Sequence, residues 1–332
     1  MAYPQVAANR CTAENGGMRR ILIIKTSSLG DVVHALPAVT DIAHHCPDIT
    51  IDWLVEEPFA AIPRLHPAVC RIIPVATRRW RHRPWARTTR QDLLELHKAL
   101  HVHHYDLTLD LQGLIKSALL SWLTPAHRVG LSWSSAREPL ATLAYQEKFV
   151  VPWHLHAVER NRLLAAQALG YTPDATVRYG ITSPLSAPQW APSHGYAVLL
   201  HASSRAKKEW PENHWVELGH QLNARGLRAI LPGGNRVERE RALRLAEKIP
   251  QAQAAPAMDL AQVAALLAHA QAVVGVDTGL THLATAFNRP VVAIYTATDP
   301  QATGVYGSAW AVNCGGKGLI PTVSEVMQAL PC

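Results

Sequence analysis

Residues 21–38 read ILIIKTSSLGDVVHALPA. Four apolar residues in a row, three of them isoleucine, make a strand buried on both faces. A polar turn follows at 25–31, and helical periodicity then runs over 32–45 and stops before Pro47. A buried strand that passes through a short polar turn into a helix is the building unit of a parallel sheet. The alternation continues outward. Strands are expected at 49–55, 71–75 and 106–111, and helices at 91–104, 113–123 and 156–169, the last stopped by Gly170 as a C-cap. Residues 171–195 hold Pro173, Pro184, Pro188 and Pro192 among serines and glycines, which is linker composition. Beyond them the alternation restarts, with strands at 196–202, 227–232, 272–276 and 291–296 and helices at 212–224, 237–249, 259–270 and 280–287. The expectation is an α/β chain of two Rossmann-like, doubly wound domains, 18–170 and 196–332. They are joined by a linker at 171–195 and face a central cleft, with a disordered lead at 1–17.

Composition narrows the class. The 332 residues are 48% hydrophobic and 17% charged, enough apolar material for two cores and far from the composition of a disordered chain. The most apolar long stretch, 260–276, is interrupted by Gln262, His269 and Gln271, so it is no membrane span. Residues 1–20 lack the apolar core of a signal peptide. Cys11, Cys46, Cys70, Cys314 and Cys332 are odd in number and form no C-x-x-C pair, which favours a reducing compartment and argues against a disulfide framework or a zinc site. The 18 histidines include no H-E-x-x-H and read as surface or spacer residues. Lys plus Arg exceeds Asp plus Glu by 32 to 25, and the surplus is concentrated. Arg78, Arg79, Arg81, Arg83, Arg87 and Arg90 fall within 78–90 with no acid among them, which points to an anionic partner.

In a parallel sheet, ligands bind beyond the carboxyl ends of the strands, so the loops after strands are where chemistry is sought. The first, Lys25 to Asp31, is neither a P-loop nor G-x-G-x-x-G. Asp31 reads either as a cap on the following helix or as a general base, and spacing alone favours the cap. The second, Val274 to His282, leads from a strand to a helix N-terminus, where free N–H groups and the dipole suit a phosphate. An ordinary capped turn fits those residues equally well. The third, His201 to Pro211, puts Ser203, Ser204, Arg205, Lys207 and Lys208 after the first strand of the second domain. It suits a pyrophosphate, or it is a solvated charge run. A fourth, Leu231-Pro232-Gly233-Gly234-Asn235, precedes Glu238 and allows close backbone approach to a ligand. Taken together, the second domain reads as the holder of a nucleotide-bearing ligand and the first as the holder of an anionic second substrate. Hydride transfer is disfavoured because no dinucleotide fingerprint is present.

KTSSLGDVVHALPA at 25–38, DLQGLIKSAL at 110–119, AREPLA at 136–141 and VDTGLTHLATA at 276–286 resemble the lipopolysaccharide heptosyltransferases, a family of GT-B glycosyltransferases. With RRWR at 78–81 the likeness is closest to the family's type I branch, and it covers nearly everything from Met18 to about residue 328. The resemblance implies inverting transfer from ADP-L-glycero-β-D-manno-heptose to the Kdo sugar of Kdo-lipid A, with no metal and no cofactor. It implies Asp31 as base. Ser203, Ser204 and Lys208 would lie on the donor diphosphate, Glu238 and Met258 at the nucleoside, and Asp277, Thr278, Gly279 and His282 along the donor site. Lys25, Arg78, Arg79, Arg81 and Arg137 would serve the acceptor or closure of the cleft. The family often has a lysine where His82 stands and two threonines where Ser203 and Ser204 stand. A monomer in peripheral contact with the cytoplasmic face of a Gram-negative inner membrane is expected.

Glycosyl transfer passes through an oxocarbenium-like state and loads charge onto the departing ADP, which Lys208 and a helix N-terminus can stabilise. Inversion needs a base on the far face of the sugar, and this moves Asp31 from cap toward base. A non-catalytic nucleotide-sugar or anionic-lipid binding module is the alternative from another class, and it would tolerate Asn at position 31. A sibling enzyme adding a later heptose differs only in its acceptor. A nucleic-acid partner is disfavoured: the basic stretch is local, despite Trp80 and Trp85 within it, and the net charge is only +7.

Overall fold

A computed structural model describes residues 19–184, 186–192 and 195–330. The lead expected at 1–17 lies outside them. The chain divides into two units, Met1–Gly180 and Ile181–Cys332.

The N-terminal unit contains β1 (Arg19–Ile24), α1 (Leu29–His45), β2 (Ile49–Glu56), β3 (Val69–Val75), α2 (Thr77–His82), α3 (Arg87–His101), β4 (Leu107–Asp110), α4 (Ile115–Ser121), β5 (His127–Leu131), a 3₁₀ turn at Pro139–Ala144, β6 (Glu147–Phe149) and α5 (Ala157–Leu169). All neighbouring strands are parallel, in the order β3-β2-β1-β4-β5-β6. β1 is central because it can be: Ile21, Leu22, Ile23 and Ile24 are fully buried, as a strand covered on both faces requires. Helix α5 packs on α1 through a buried ion pair. Arg162 Nε and Nη2 donate to the two carboxylate oxygens of Asp41 at 2.7 and 3.2 Å, and Gly170 ends α5 in the left-handed conformation at φ 81°.

The C-terminal unit contains β7 (Tyr196–Leu200), α6 (Glu212–Ala224), β8 (Arg228–Leu231), α7 (Arg236–Lys248), β9 (Gln253–Ala254), α8 (Leu260–Ala268), β10 (Ala272–Val276), α9 (Gly279–Ala286), β11 (Val291–Tyr295), α10 (Pro300–Thr303), β12 (Ala311–Gly315) and α11 (Val323–Ala329). Its order is β12-β11-β10-β7-β8-β9, again all parallel. Counted from its own first strand this is the winding of the N-terminal unit. Each sheet reverses direction once, between β1 and β4 and between β7 and β10. A crevice opens at such a switch point because the crossovers on its two sides leave in opposite directions. The core beneath is aliphatic, with Trp210 and Trp215 buried edge to face at 5.2 Å.

The differences from the sequence reading are local. Strands β5, β6, β9 and β12 were not expected. All four lie at or next to a sheet edge, where residues are partly exposed and the buried-strand signature fades. The arginine-rich stretch begins as a helix, α2, held by Trp80 against the core and by its indole N–H donating to Asp92 at 2.8 Å. Cys46 is disulfide-bonded, against the expectation of reduced thiols throughout, while Cys70 and Cys314 are free.

Candidate active site

In the N-terminal unit the β1–α1 loop sits at the switch point, clamped by the loop after β4. Gln112 Oε1 accepts from the Thr26 and Ser27 N–H groups at 2.9 and 3.2 Å, and its amide donates to Ser27 O at 2.6 Å. Lys116, one turn on, donates to Ser27 Oγ at 2.6 Å. Gly113, at φ 66°, lets that loop turn where an added Cβ would meet Leu131 at 3.0 Å. Asp110 beneath is buried. Burial pushes its pKa up, and bonds from Tyr145, Ser117 and the Gln112 and Gly113 N–H groups only partly offset this.

The N-cap of helix α1 is Ser28, not Asp31. Asp31 is the third helical residue, and its Oδ2 accepts from both the N–H and the hydroxyl of Ser28 at 2.8 Å, the reciprocal arm of a capping box. Oδ1 has no hydrogen bond among the described residues. Lys25 is buried and donates to Leu111 O at 2.6 Å and Asn161 Oδ1 at 3.3 Å. Desolvation lowers its pKa, against the pull of Asp31 and Asp110. Lys116 is lowered by burial too, with Glu56, Arg78, Asp31 and Glu138 in its field. The fields of Lys25 and Lys116 thus gather Asp31, Arg78 and Arg137 at one end of the sheet. Arg78 is exposed, over the Phe59 ring. Arg137 and Arg81 are exposed, with no ion-pair partner among the described residues. Arg79 differs: it is held by Glu57 at 2.9 and 3.2 Å and by Asp92 at 2.8 Å.

In the C-terminal unit a cavity of about 340 Å³ opens at the switch point of β7 and β10. Ser203, Ser204, Glu238, Met258 and Thr278 line it, with Leu200, Val263 and Leu280 supplying apolar wall and Gly233 and Gly234 a backbone wall. Asn235 caps α7 by accepting from the Glu238 N–H at 3.0 Å, and the Glu238 carboxylate returns to the Gly234 N–H and the Asn235 amide, both at 2.7 Å. Ser203 Oγ donates to Asp277 O at 3.3 Å and so ties the cavity to the start of α9. There Asp277 Oδ2 accepts from Lys208 at 2.6 Å and Thr298 at 2.5 Å, and His282 Nε2 lies 3.9 Å from Oδ1. Burial alone would raise the Asp277 pKa, but hydrogen bonds from His282, Lys208 and Thr298 outweigh it and hold the carboxyl well below the usual range. Gly279 opens α9, and its N-cap residue Thr278 makes no side-chain cap bond, so the helix presents N–H groups to a ligand.

The nine expected donor-side residues therefore gather in one unit, around one cavity and one helix terminus. Three contributors went unassigned in the sequence: Gln112, Lys116 and Thr298. The first two stand inside a quoted motif, and Thr298 follows β11 at a carboxyl strand end, where the search for loops applies equally well. An apolar cavity of nucleoside size beside a cation, hydroxyls and a helix N-terminus is built for a nucleoside with a charged phosphate tail.

Residues 93–329, well over half the chain, match the profile of glycosyltransferase family 9 (heptosyltransferase). The chain belongs to this family. Lipopolysaccharide heptosyltransferase 1 of Escherichia coli K12 is 46% identical over 290 residues, 87% of this chain and 91% of that protein. The solved structure of E. coli heptosyltransferase WaaC with ADP superposes with a TM-score of 0.86 at 43% identity, covering 93% of this chain and 98% of that one. The same enzyme with ADP-2-deoxy-2-fluoro heptose gives 0.84 at 44% identity over the same shares. These matches identify the fold of this family 9 member as GT-B. The family profile begins inside α3, so the Asp31 loop lies ahead of it.

Proposed function

We propose that this chain is an inverting glycosyltransferase that moves L-glycero-D-manno-heptose from ADP-heptose to the Kdo of Kdo-lipid A during assembly of the lipopolysaccharide inner core. The observation that carries the reading is the C-terminal cavity with Lys208 and the α9 terminus beside it, in a chain that superposes on a heptosyltransferase solved with ADP. Adenosine enters the cavity between Met258 and the Glu238 carboxylate. The diphosphate lies against Ser203, Ser204, Lys208 and the N–H groups of Thr278 and Gly279. As the glycosidic bond breaks, charge grows on ADP; Lys208 and the α9 dipole stabilise it where it develops, with Asp277 and His282 fixing the lysine.

Asp31 takes the proton from the attacking Kdo hydroxyl. Its Oδ1 is free for this while Oδ2 holds the helix start. Lys25 acts from within, setting the loop that carries Asp31. Arg78, Arg81 and Arg137, with Lys116, meet the carboxylate of Kdo and the phosphates of lipid A, anions that guanidinium groups bind in pairs of parallel hydrogen bonds. The acceptor is a lipid, and the protein works as a monomer in peripheral contact with the cytoplasmic leaflet. No helix among the described residues is long and apolar enough to cross a membrane. Ile115 and Leu119 on α4, its C-cap Trp122, and Leu140 and Leu143 on the neighbouring 3₁₀ turn are exposed, and Trp85, between Arg83 and Arg87, is 84% exposed, a surface suited to head groups. Incubation of the purified protein with ADP-heptose and Kdo-lipid A, followed by mass spectrometry of the lipid, tests the reading. Addition of one heptosyl unit is expected. Transfer only to an acceptor that already carries heptose would assign the chain to a sibling step.

A further inference from the structure

Helix α1 carries Asp31 in its first turn and His44 and His45 in its last. Seventeen residues at a rise of about 1.5 Å put the two ends roughly 25 Å apart. At the histidine end His44 Nδ1 lies 3.3 Å from Asp174 Oδ2, and His45 Nε2 lies 3.1 Å from Asp174 Oδ1. One ligand atom from each of the three residues falls within 4.8 Å of the others. Donors at about 2.0–2.1 Å from a tetrahedral Zn²⁺ stand roughly 3.4 Å apart, so the cluster needs little adjustment to receive such an ion. Two imidazoles and one carboxylate are a donor set for zinc or a neighbouring transition metal rather than for Mg²⁺ or Ca²⁺.

The cluster is held from behind. The backbone carbonyl of Asp174 accepts from Arg162 Nη2 at 2.7 Å. Arg162 is 1% exposed and is paired with Asp41, one turn before the two histidines on the same helix. One buried ion pair therefore fixes both the helix that carries the imidazoles and the segment that carries the carboxylate. The His45 ring also stacks on buried Tyr171 at 4.8 Å and 11°. Such second-layer support is what orients metal ligands. The competitor is Arg178, whose Nη2 lies 2.7 Å from Asp174 Oδ2; its side chain is 59% exposed and can move into water.

We propose that His44, His45 and Asp174 bind a divalent transition-metal cation, with Zn²⁺ the best match, and that the ion fastens the segment after α5 to α1. The site lies outside the transfer chemistry. Zinc is titrated by calorimetry into the full-length, untagged, chelator-treated protein near neutral pH, with thermal melts in parallel. One equivalent binds saturably and raises the melting temperature. Asp174→Asn and His45→Ala each weaken binding at least about tenfold and abolish the melting shift. A control is needed because His97 and His101 on α3 stack at 4.0 Å and offer a rival pair; His97→Ala with His101→Ala leaves the binding unchanged. Should Asp174→Asn fold poorly by circular dichroism, His44→Ala replaces it, since that side chain is 60% exposed. The proposal is overturned by the absence of saturable binding, by wild-type affinity in the cluster variants, or by loss of binding in the α3 variant.

Discussion

Asp31 holds two functions on two oxygens. Oδ2 serves the helix start through Ser28 and Oδ1 makes no hydrogen bond among the described residues, so Asp31→Asn keeps an acceptor for the cap while removing the base. Turnover should fall by about 10²–10⁴-fold with ADP affinity unchanged, read from initial rates and an ADP titration. Near-normal turnover would leave Asp31 as a capping residue alone. Lys208 is the corresponding test for the donor. Its side chain is only 18% exposed and bonds to Asp277, so Lys208→Ala should weaken ADP binding and slow transfer together. It also alters acid stability. The Asp277 carboxyl titrates lower in the folded protein than in the unfolded chain, so its contribution is complete above about pH 3.9 and is lost as pH falls through the depressed folded value. Removing Lys208 raises that folded value, and acid unfolding of the variant should begin at higher pH in melts followed by circular dichroism.

Among the elements, α7 and α2 carry the sharpest consequences. The Gly233-Gly234 turn is packed against the first turn of α7, and a Cβ on Gly233 would stand 2.7 Å from the Arg239 nitrogen and 2.8 Å from the Glu238 carbonyl carbon. Backbone cannot yield as a side chain can, so Gly233→Ala should push the α7 start into the cavity, lower the melting temperature and weaken ADP binding. Wild-type ADP affinity in this variant would mean the cavity wall is more compliant than the packing implies. In α2 the arginines divide. Arg79 is bound to Glu57 and Asp92 and ties α2 to α3, whereas Arg78 and Arg81 carry no carboxylate partner among the described residues. Replacing Arg78 and Arg81 with Ala should raise the acceptor KM steeply, leave ADP affinity unchanged and be partly mimicked by high salt. Arg79→Ala should act mainly on stability, and the opposite pattern would reassign the acceptor contact. None of this division could be read in RRWR, because the acids that claim Arg79 lie 22 and 13 residues away. The central strands were legible: 21–24 and 272–276 are continuous apolar runs. Edge strands such as β9, two residues long, leave no pattern to read. The loops that line the C-terminal cavity were legible for a related reason, since a strand-end rule locates them without any knowledge of tertiary contacts. Gln112 and Lys116 were not, because their value lies in reaching Ser27, more than eighty residues back.

At the scale of the whole molecule, each unit holds a buried histidine whose pKa burial lowers, His66 in one and His201 in the other. Burial lowers the pKa of His66 to about 4, and burial aided by the Arg241 charge does the same for His201. In the unfolded chain both rings take protons below about pH 6.5. Between there and about pH 4 the unfolded state binds more protons, so stability rises with pH across that window and is lost on acidification, by about 1.4 kcal/mol per unit of depression for each ring. Urea midpoints should therefore fall steadily from about pH 6.5 to about pH 4.5, and a flat profile would place both rings in water. The two units also divide recognition unevenly. Every residue lining the nucleotide cavity, from Leu200 to Leu280, belongs to the C-terminal unit. Under the proposed function, donor choice is inherited as a self-contained cassette, while the half proposed to read the acceptor can diverge under its own selection. A chimera that joins these residues 181–332 to the N-terminal half of a sibling would keep its nucleotide-sugar and change its lipid, which is how one ancestral fold could elongate a glycan heptose by heptose without reinventing its supply of activated sugar.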